Sequence, residues 1–177
     1  MTSTTIVQPP QTIKEVWEQL PEGTRAQVIE NQLIMSPRPL DRHQETLINI
    51  VLPIGNYVKK NSLGKIRTGP AGVYLDEENI FEPDIMFISS KNIHKFRKDG
   101  LHGAPDLVIE ILSPSTAKYD KNQKKSAYER YGVREYCIVD PETKEVQGFF
   151  LKDDRYESPL ELVGRIDSRV LDYEFEF

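Results

Sequence analysis

Two carboxylates occupy positions from which they could do chemistry. Asp84 follows Pro83 and directly precedes the apolar run 85–88. A proline at this point fixes where a strand begins, which leaves Asp84 at the strand entrance. Glu110 stands inside the most apolar run of the chain, 106–112, where a carboxylate is costly unless it is paired or binds a metal. Two carboxylates, waters and a phosphate oxygen together make a typical Mg²⁺ site, which is the site these residues predict.

Two other roles for these carboxylates stay open at the level of sequence. Asp84 could cap its own backbone in a turn, and Glu110 could pair with a lysine or arginine across the sheet. Asp106 shares the strand and the face of Glu110, four residues away. At about 3.3 Å per residue the two lie roughly 13 Å apart, too far to share one metal ion. We therefore expect Asp84, on an adjacent strand, to be the partner of Glu110.

Three more polar side chains share one face of a predicted helix. Asp120, Lys124 and Tyr128 are spaced by four residues, which aligns them on that face. This helix follows the Glu110 strand after a short loop, so it should pack back against the strand. A lysine near a metal could hold the attacking water and stabilise negative charge on a phosphate. The alternative is an ordinary Asp–Lys helix pair with a tyrosine packed beside it.

Other catalytic and metal-binding patterns are missing from the sequence. The histidines, His43, His94 and His102, show neither H-x-x-H nor H-E-x-x-H spacing, which disfavours a zinc hydrolase. Neither a Walker loop nor G-x-G-x-x-G occurs, which disfavours an NTPase or a Rossmann enzyme. The single cysteine, Cys137, excludes a disulfide framework, and its apolar strand predicts a buried structural thiol.

The elements that must position these residues can be read from periodicity and from cap residues. A capping box over 12–15 opens a short helix. Residues 25–36 predict a strand or hairpin. Asp41 could cap a long helix that reaches about residue 60, in which Pro53 predicts a kink or break.

The second half of the chain is richer in strands. One further helix is predicted from about residue 117 to 131, with Gly132 as its natural stop. The strand 106–112 is apolar on both faces, which marks it as central and covered on both sides. This order indicates an α/β sandwich around a mixed sheet. The predicted strands after the long helix are 65–68, 71–75, 84–88, 106–112, 135–140, 146–151, 160–163 and 170–177.

Composition indicates a globular protein with a local excess of positive charge. The 177 residues are 38% hydrophobic and 29% charged, enough for a core without a metal or disulfide staple. With neither a long apolar run nor a secretory signature, we expect a cytoplasmic protein with no membrane partner. The net charge is −5, yet residues 91–134 carry ten Lys and Arg against five Asp and Glu. That block could contact phosphates, or it could be a solvated helix face that balances an acidic tail.

The run GAPDLVIEILSPST at 103–116 resembles the Uma-type restriction endonuclease family, a bacterial branch of the PD-(D/E)XK nuclease superfamily. The resemblance spans roughly residues 25–150. It also rests on matches outside that run, which are Met35-Ser36-Pro37, His43, Pro83-Asp84, Asp120, Lys124, Tyr128, Gly132-Val133, Glu135-Tyr136 and Asp140-Pro141.

The resemblance implies an α/β, restriction-endonuclease-like core with a mixed β-sheet flanked by helices. It implies Asp84 as the aspartate of the "PD" element and Glu110 as the acidic residue of "(D/E)XK". The lysine expected two residues after Glu110 is replaced by Leu112. In the family a lysine from the following helix is thought to take its place, and Lys124 matches that position.

The predicted function is therefore a Mg²⁺-dependent endonuclease acting on DNA, with Mn²⁺ as a possible substitute ion. Asp84 and Glu110 would hold the metal, and Lys124 would position or polarise water. The supporting residues would be His43, Glu45, Asp106, Asp120 and Tyr128. The phosphate contacts would come from Lys95, Arg97, Lys98, Lys121 and Lys125.

Two alternatives belong to other functional classes. A nuclease fold retained as a DNA-binding or assembly module without catalysis is favoured by the displaced lysine and the acidic tail. A glycosidase that uses the two carboxylates as its catalytic pair is disfavoured. Sugar-binding sites usually contain aromatic side chains, and Trp17, the single tryptophan, lies in the N-terminal helix. We expect an N-terminal segment at 1–24, one nuclease-like domain at 25–177, and a homodimer, since a lone domain must often pair to cut both strands of a duplex.

Overall fold

A mixed seven-stranded sheet forms the centre of the protein, which a computed structural model describes over residues 9–21 and 23–177. The helical segments are α1 (Ile13–Glu18), α2 (Asp41–Lys60), a 3-10 helix (Ser90–Lys95), α3 (Ala117–Tyr119), a π turn (Asp120–Lys124) and α4 (Lys125–Arg130). The first seven strands are β1 (Ala26–Ile29), β2 (Gln32–Met35), β3 (Gly64–Thr68), β4 (Val73–Tyr74), β5 (Ile80–Phe81), β6 (Ile85–Ser89) and β7 (Leu101–His102). The other seven are β8 (Leu107–Ile111), β9 (Glu135–Val139), β10 (Glu145–Lys152), β11 (Arg155–Tyr156), β12 (Leu160–Val163), β13 (Arg165–Ser168) and β14 (Tyr173–Glu176).

The central sheet has the strand order β11-β10-β9-β8-β6-β3, and β12 also pairs with β10. Strand β8 runs parallel to β9 and antiparallel to β6, which makes the sheet mixed as the sequence predicts. A smaller five-stranded sheet has the order β2-β1-β5-β4-β7, and β13 and β14 form a separate hairpin. Strands β5 and β7, of two residues each, were not predicted, because so short a segment carries no periodicity.

Apolar layers cover both faces of β8. On one face, Ile109 and Ile111 belong to the same buried cluster as Ile50 and Ile54 of α2. On the other face, Val108 belongs to a cluster with residues of α4 and β9. All five residues of β8 are buried, which agrees with its predicted central position.

Two features of α2 differ from the prediction. The helix is continuous from Asp41 to Lys60 with Pro53 inside it, so of the predicted kink or break the break does not occur. The carbonyl of Asn49, which loses its usual N–H partner, belongs to an exposed residue where water can replace that bond. Asp41 is the first helical residue and not the cap, which is Leu40 without a side-chain hydrogen bond.

The predicted helix over 117–131 forms with an irregular centre. Its middle, Asp120–Lys124, is a π turn between α3 and α4. Such turns are rare within helices and frequent at functional sites. Asp120 and Lys124 are both buried here, so the irregular turn faces the sheet.

Helix α1 begins at the predicted capping box and contacts the rest of the fold. The backbone N–H of Glu15 donates to the hydroxyl of Thr12 (3.1 Å), and the Glu15 carboxylate accepts from the backbone N–H of Thr12 (3.4 Å). The indole N–H of Trp17 donates to the carbonyl of Ala26 in β1 (2.6 Å). The predicted N-terminal segment 1–24 lies partly outside the described residues. Within the described ranges, no helix has the length and apolar character that a bilayer crossing needs.

Candidate functional site

Asp84 and Glu110 are brought together by the pairing of β6 with β8. The two strands are antiparallel, with Ile85 opposite Ile109. The backbone N–H of Asp84 donates to Oε2 of Glu110 (3.3 Å), and Oδ2 of Asp84 accepts from the backbone N–H of Ile111 (2.8 Å). Each carboxylate is therefore fixed by the strand that carries the other.

Lys124 reaches this pair from the π turn. Its Nζ lies 2.5 Å from Oε1 of Glu110 and 3.0 Å from Oδ1 of Asp120. The hydroxyl of Tyr128 donates to the same Oε1 of Glu110 (3.2 Å). The side chains of Lys124, Glu110 and Asp120 are at most 4% exposed, so the network is almost completely buried.

Burial and neighbouring charges set the ionisation of this network. Burial is the largest influence on Glu110 and raises its pKa, Lys124 opposes that shift, and the negative charges of Asp120 and Asp84 add to it. For Lys124, burial alone would lower the pKa, but the carboxylates of Asp120 and Glu110 outweigh burial and raise it. Lys124 therefore remains protonated at neutral pH.

His43 contacts Asp84 from the first turns of α2. Its Nε2 lies 3.2 Å from Oδ2 of Asp84, and its side chain is 9% exposed. The second ring nitrogen, Nδ1, is buried and has no hydrogen-bond partner among the described residues. Glu45, two residues further along α2, is exposed and pairs with Arg42 (3.3 Å) instead of joining the carboxylates.

A cavity of about 520 Å³ opens over these residues. Asp84, Glu110 and Glu82 line it. Burial raises the pKa of Glu82, against the lowering effect of the positive charges of Arg25 and Lys124. The cavity thus joins two carboxylates whose pKa is raised, Glu82 and Glu110, with Asp84 in one concave site, a combination typical of functional sites.

Asp106 lies at the other end of β8, as the strand spacing predicted. Its Oδ2 accepts from the backbone N–H of Ser89 (2.7 Å), both carboxylate oxygens accept from the side-chain amide of Asn92, and Arg134 lies 3.3 Å away. It does not line the cavity. Asp106 therefore anchors the 3-10 helix to β8.

The residues predicted to contact phosphates lie in three places. Lys121 lines the cavity, whereas Lys95, Arg97 and Lys98 do not. Those three follow β6 at the end opposite Asp84. The ammonium of Lys125 lies 4.3 Å from the ring centre of Phe149 and also does not line the cavity.

The structure adds cavity residues that the sequence did not single out. Glu82 stands two positions before Asp84, a spacing that places both on one side of an extended segment. Arg25, Arg38 and Arg42 also line the cavity. The three arginines are scattered through a half of the chain where acidic residues outnumber basic ones, so local charge density did not reveal them.

The donor set fits a hard divalent cation that keeps most of its waters. Asp84 and Glu110 offer carboxylate oxygens to one cavity, and Oδ1 of Asp84 has no hydrogen-bond partner among the described residues. Within 9–21 and 23–177, no group of three or more His, Cys, Asp or Glu residues is arranged to hold a metal ion. Mg²⁺ and Mn²⁺ are commonly bound by one or two carboxylates completed by water and phosphate oxygens.

Comparison with known proteins identifies related sequences and one related fold. Residues 14–168 match the Uma2 family, which is described as "Putative restriction endonuclease". A curated relative, "Uncharacterized protein sll1609" from Synechocystis sp., is 31% identical over 90 residues. That match covers 50% of this chain and 51% of the relative, so the chain spans about half the length of that relative.

A solved structure confirms the predicted fold class. The crystal structure titled as "a putative nuclease belonging to DUF820", from Anabaena variabilis, matches this chain with a TM-score of 0.72. The match covers 86% of this chain and 84% of the other, at 19% sequence identity. At that identity the likeness establishes the shared fold, an α/β core with a mixed sheet flanked by helices.

Proposed function

This chain belongs to the Uma2 family, and on that basis we propose that it is a metal-dependent endonuclease that hydrolyses phosphodiester bonds in DNA. The observation that carries the proposal is the meeting of Asp84, Glu110 and Lys124 at one cavity. Two carboxylates on adjacent strands and a lysine that contacts one of them match the nuclease pattern, although the lysine comes from a helix. Restriction endonuclease-like proteins typically use divalent metals.

The metal would be held by Asp84 and Glu110, with Mg²⁺ as the proposed ion and Mn²⁺ as a substitute. When bound, such an ion supplies Lewis-acid polarisation of the scissile phosphate and makes water a better nucleophile. The chain's own contribution is to keep both carboxylates in place. Asp84 is held by Ile111 and His43, and Glu110 by Tyr128 and the Asp84 backbone.

Lys124 supplies a fixed positive charge at the site. A protonated lysine has three N–H donors, and the contacts with Glu110 and Asp120 use two of them. The third can hold the attacking water or a phosphate oxygen. Because Lys124 stays protonated, it stabilises the negative charge that develops on the phosphate and does not act as the general base.

A non-catalytic DNA-binding module is the second candidate, and one observation favours it. Glu110 already accepts hydrogen bonds from Lys124, Tyr128 and the backbone of Asp84. These donors satisfy a buried carboxylate without a metal, as a purely structural ion pair would. In this alternative the fold binds nucleic acid and the network serves stability.

Nicking of supercoiled plasmid in Mg²⁺ or Mn²⁺ separates the two candidates. We expect cleavage by the wild type, a loss of about 100-fold or more in Asp84→Asn, and no change in Asp154→Asn. Asp154 is an exposed turn residue with a φ of 61°, a conformation that asparagine adopts well, so it is a matched control. No cleavage by folded wild type would favour the binding module. Equal cleavage by Asp84→Asn and wild type would refute the assignment of Asp84.

A further inference from the structure

The cavity has a basic rim, defined here as Arg25, Arg38, Arg42 and Lys121. Arg38, Arg42 and Lys121 are exposed, and Arg25 is half-buried. The rim residues come from the residue just before β1, from the segment that leads into α2 together with the first turn of that helix, and from the π turn. Three separate parts of the chain thus place cations around the same opening.

Most of the rim has no carboxylate in direct contact. Among the described residues, no carboxylate lies within 4.0 Å of the charged groups of Arg25, Arg38 or Lys121. The Nε of Arg25 is buried without a hydrogen-bond acceptor. A buried donor without an acceptor at the wall of a cavity is available to an anion that enters that cavity. Arg42 differs, because Glu45 (3.3 Å) and Glu142 (3.9 Å) lie close to it.

The positive charge of the rim also offsets the negative charge of the carboxylates that line the cavity. Glu82, Asp84 and Glu110 line the cavity, and so do Asp120, Asp140 and Glu142. A nucleic-acid strand carries a negative charge at every phosphate, and these carboxylates repel it. Cations at the opening are needed to bring a phosphodiester up to Asp84 and Glu110.

We propose that the basic rim binds the phosphodiester backbone of the DNA strand that enters the cavity, and that it is the main DNA-contact surface of the protein. This inference rests on the proposed function and names the residues that deliver its substrate. Arginine suits the role, because its planar guanidinium binds phosphate oxygens in pairs. Lys121 adds a cation three residues before Lys124, on the side where the carboxylates lie.

The basic segment 91–98 is too distant to contact the same phosphates. It begins after β6, whose five residues separate it from Asp84 by about 16 Å along the strand. Part of its charge also serves the fold, since Nζ of Lys95 donates to the carbonyl of Ala104 (2.9 Å). Its exposed residues Arg97 and Lys98 make a matched comparison for Arg38 and Lys121.

The test compares two double variants that each remove two exposed positive charges. Binding of a fluorescein-labelled 20-base-pair DNA duplex is followed by fluorescence anisotropy in EDTA, at several salt concentrations. Arg38→Ala with Lys121→Ala should weaken binding about 10-fold or more near 0.1 M salt and reduce the salt slope by about two phosphate contacts. Arg97→Ala with Lys98→Ala should change the affinity less than about 2-fold.

Plasmid cleavage by the wild type, measured alongside, separates this inference from the proposed function. Weaker DNA binding by the Arg38/Lys121 variant alone supports the inference, whether or not the wild type cleaves plasmid. If the wild type binds DNA in this way but does not cleave it, only the nuclease proposal fails. An equal loss of DNA affinity in both variants, or a larger loss in the Arg97/Lys98 variant, overturns the inference. Cleavage by the wild type would still support the nuclease proposal in that case. A wild type that does not bind the duplex also overturns it.

Discussion

The Nζ of Lys124 lies 2.5 Å from Oε1 of Glu110, so a helix supplies the charge that the nuclease pattern expects from the strand. The expected strand position holds Leu112, which packs against the apolar cluster on the α4 side of the sheet. The π turn buries Lys124 and Asp120 together. The displaced lysine therefore reaches the acidic residue, and it brings a second carboxylate with it.

Removing the charge of Lys124 should destabilise the protein strongly. In Lys124→Met the buried carboxylates of Glu110 and Asp120 lose their cation, and breaking a buried pair in this way costs about 3–5 kcal/mol. Lys121→Met is the matched control, because Lys121 is exposed and has no carboxylate within 4.0 Å among the described residues. Urea unfolding measures the free energy of unfolding of both. Equal stability of the two variants would contradict the buried network.

His43 should act as a positioning residue for Asp84. Its Nε2 contact (3.2 Å) fixes Oδ2 of the carboxylate, and loss of such an outer contact typically lowers metal affinity about 10–100-fold. His43→Gln should therefore weaken Mn²⁺ binding, measured by isothermal titration calorimetry. His94→Gln should leave Mn²⁺ binding unchanged, because His94 is exposed and contacts only the carbonyl of Lys91 in its own helix. Unchanged affinity in His43→Gln would remove His43 from the site.

Glu135 should make stability depend on pH. Burial raises its pKa from 4.5 to about 7, although the backbone N–H of Val170 and the hydroxyl of Ser168 lower it. Between those pH values the folded state binds more protons than the unfolded state. Stability should therefore fall as the pH rises from about 4.5 to 7 and then level off.

Glu135→Gln should abolish that contribution. The variant should gain stability relative to wild type above pH 7, by at most about 3.5 kcal/mol, because 1 pKa unit corresponds to about 1.4 kcal/mol. Urea unfolding at pH 5 and pH 8 measures the difference. Glu145→Gln, at an exposed position of β10, is the control substitution. A variant less stable than wild type at pH 8 would show that the ionised carboxylate is the stabilising form.

Asp106 should affect stability without affecting metal binding. Asp106→Asn weakens the contacts with Ser89, Asn92 and Arg134, and we expect a loss of about 1–3 kcal/mol in the free energy of unfolding. Mn²⁺ affinity should equal that of the wild type, because Asp106 does not line the cavity. A loss of Mn²⁺ affinity at unchanged stability would place Asp106 in the site after all.

Sequence alone predicts those parts of the fold whose cause is local. Three features are determined by residues that are close together in the chain. They are the apolar periodicity of α2, the capping box at Thr12 and the strand β8, which is apolar on both faces. The continuity of α2 through Pro53 cannot be predicted in this way, because it depends on the exposure of the Asn49 carbonyl one turn earlier. The sequence also does not predict the π turn, since an Asp and a Lys four residues apart are equally typical of an ordinary α-helix.

The same division holds for the candidate site. The sequence predicted Asp84 on a strand adjacent to that of Glu110, and β6 and β8 pair directly. Outside the site, the contact from Glu135 to Val170 joins residues 35 positions apart, and neither position predicts the other. The arginines of the basic rim likewise converge only through the tertiary fold.

The most direct measurement is the plasmid-nicking rate of Glu110→Gln at saturating DNA, beside its DNA affinity. Glutamine keeps the shape of the side chain and removes the charge that holds a metal. The endonuclease proposal predicts a rate at least about 100-fold below wild type with DNA affinity unchanged within about 3-fold. A Glu110→Gln protein that nicks plasmid as fast as wild type would contradict it.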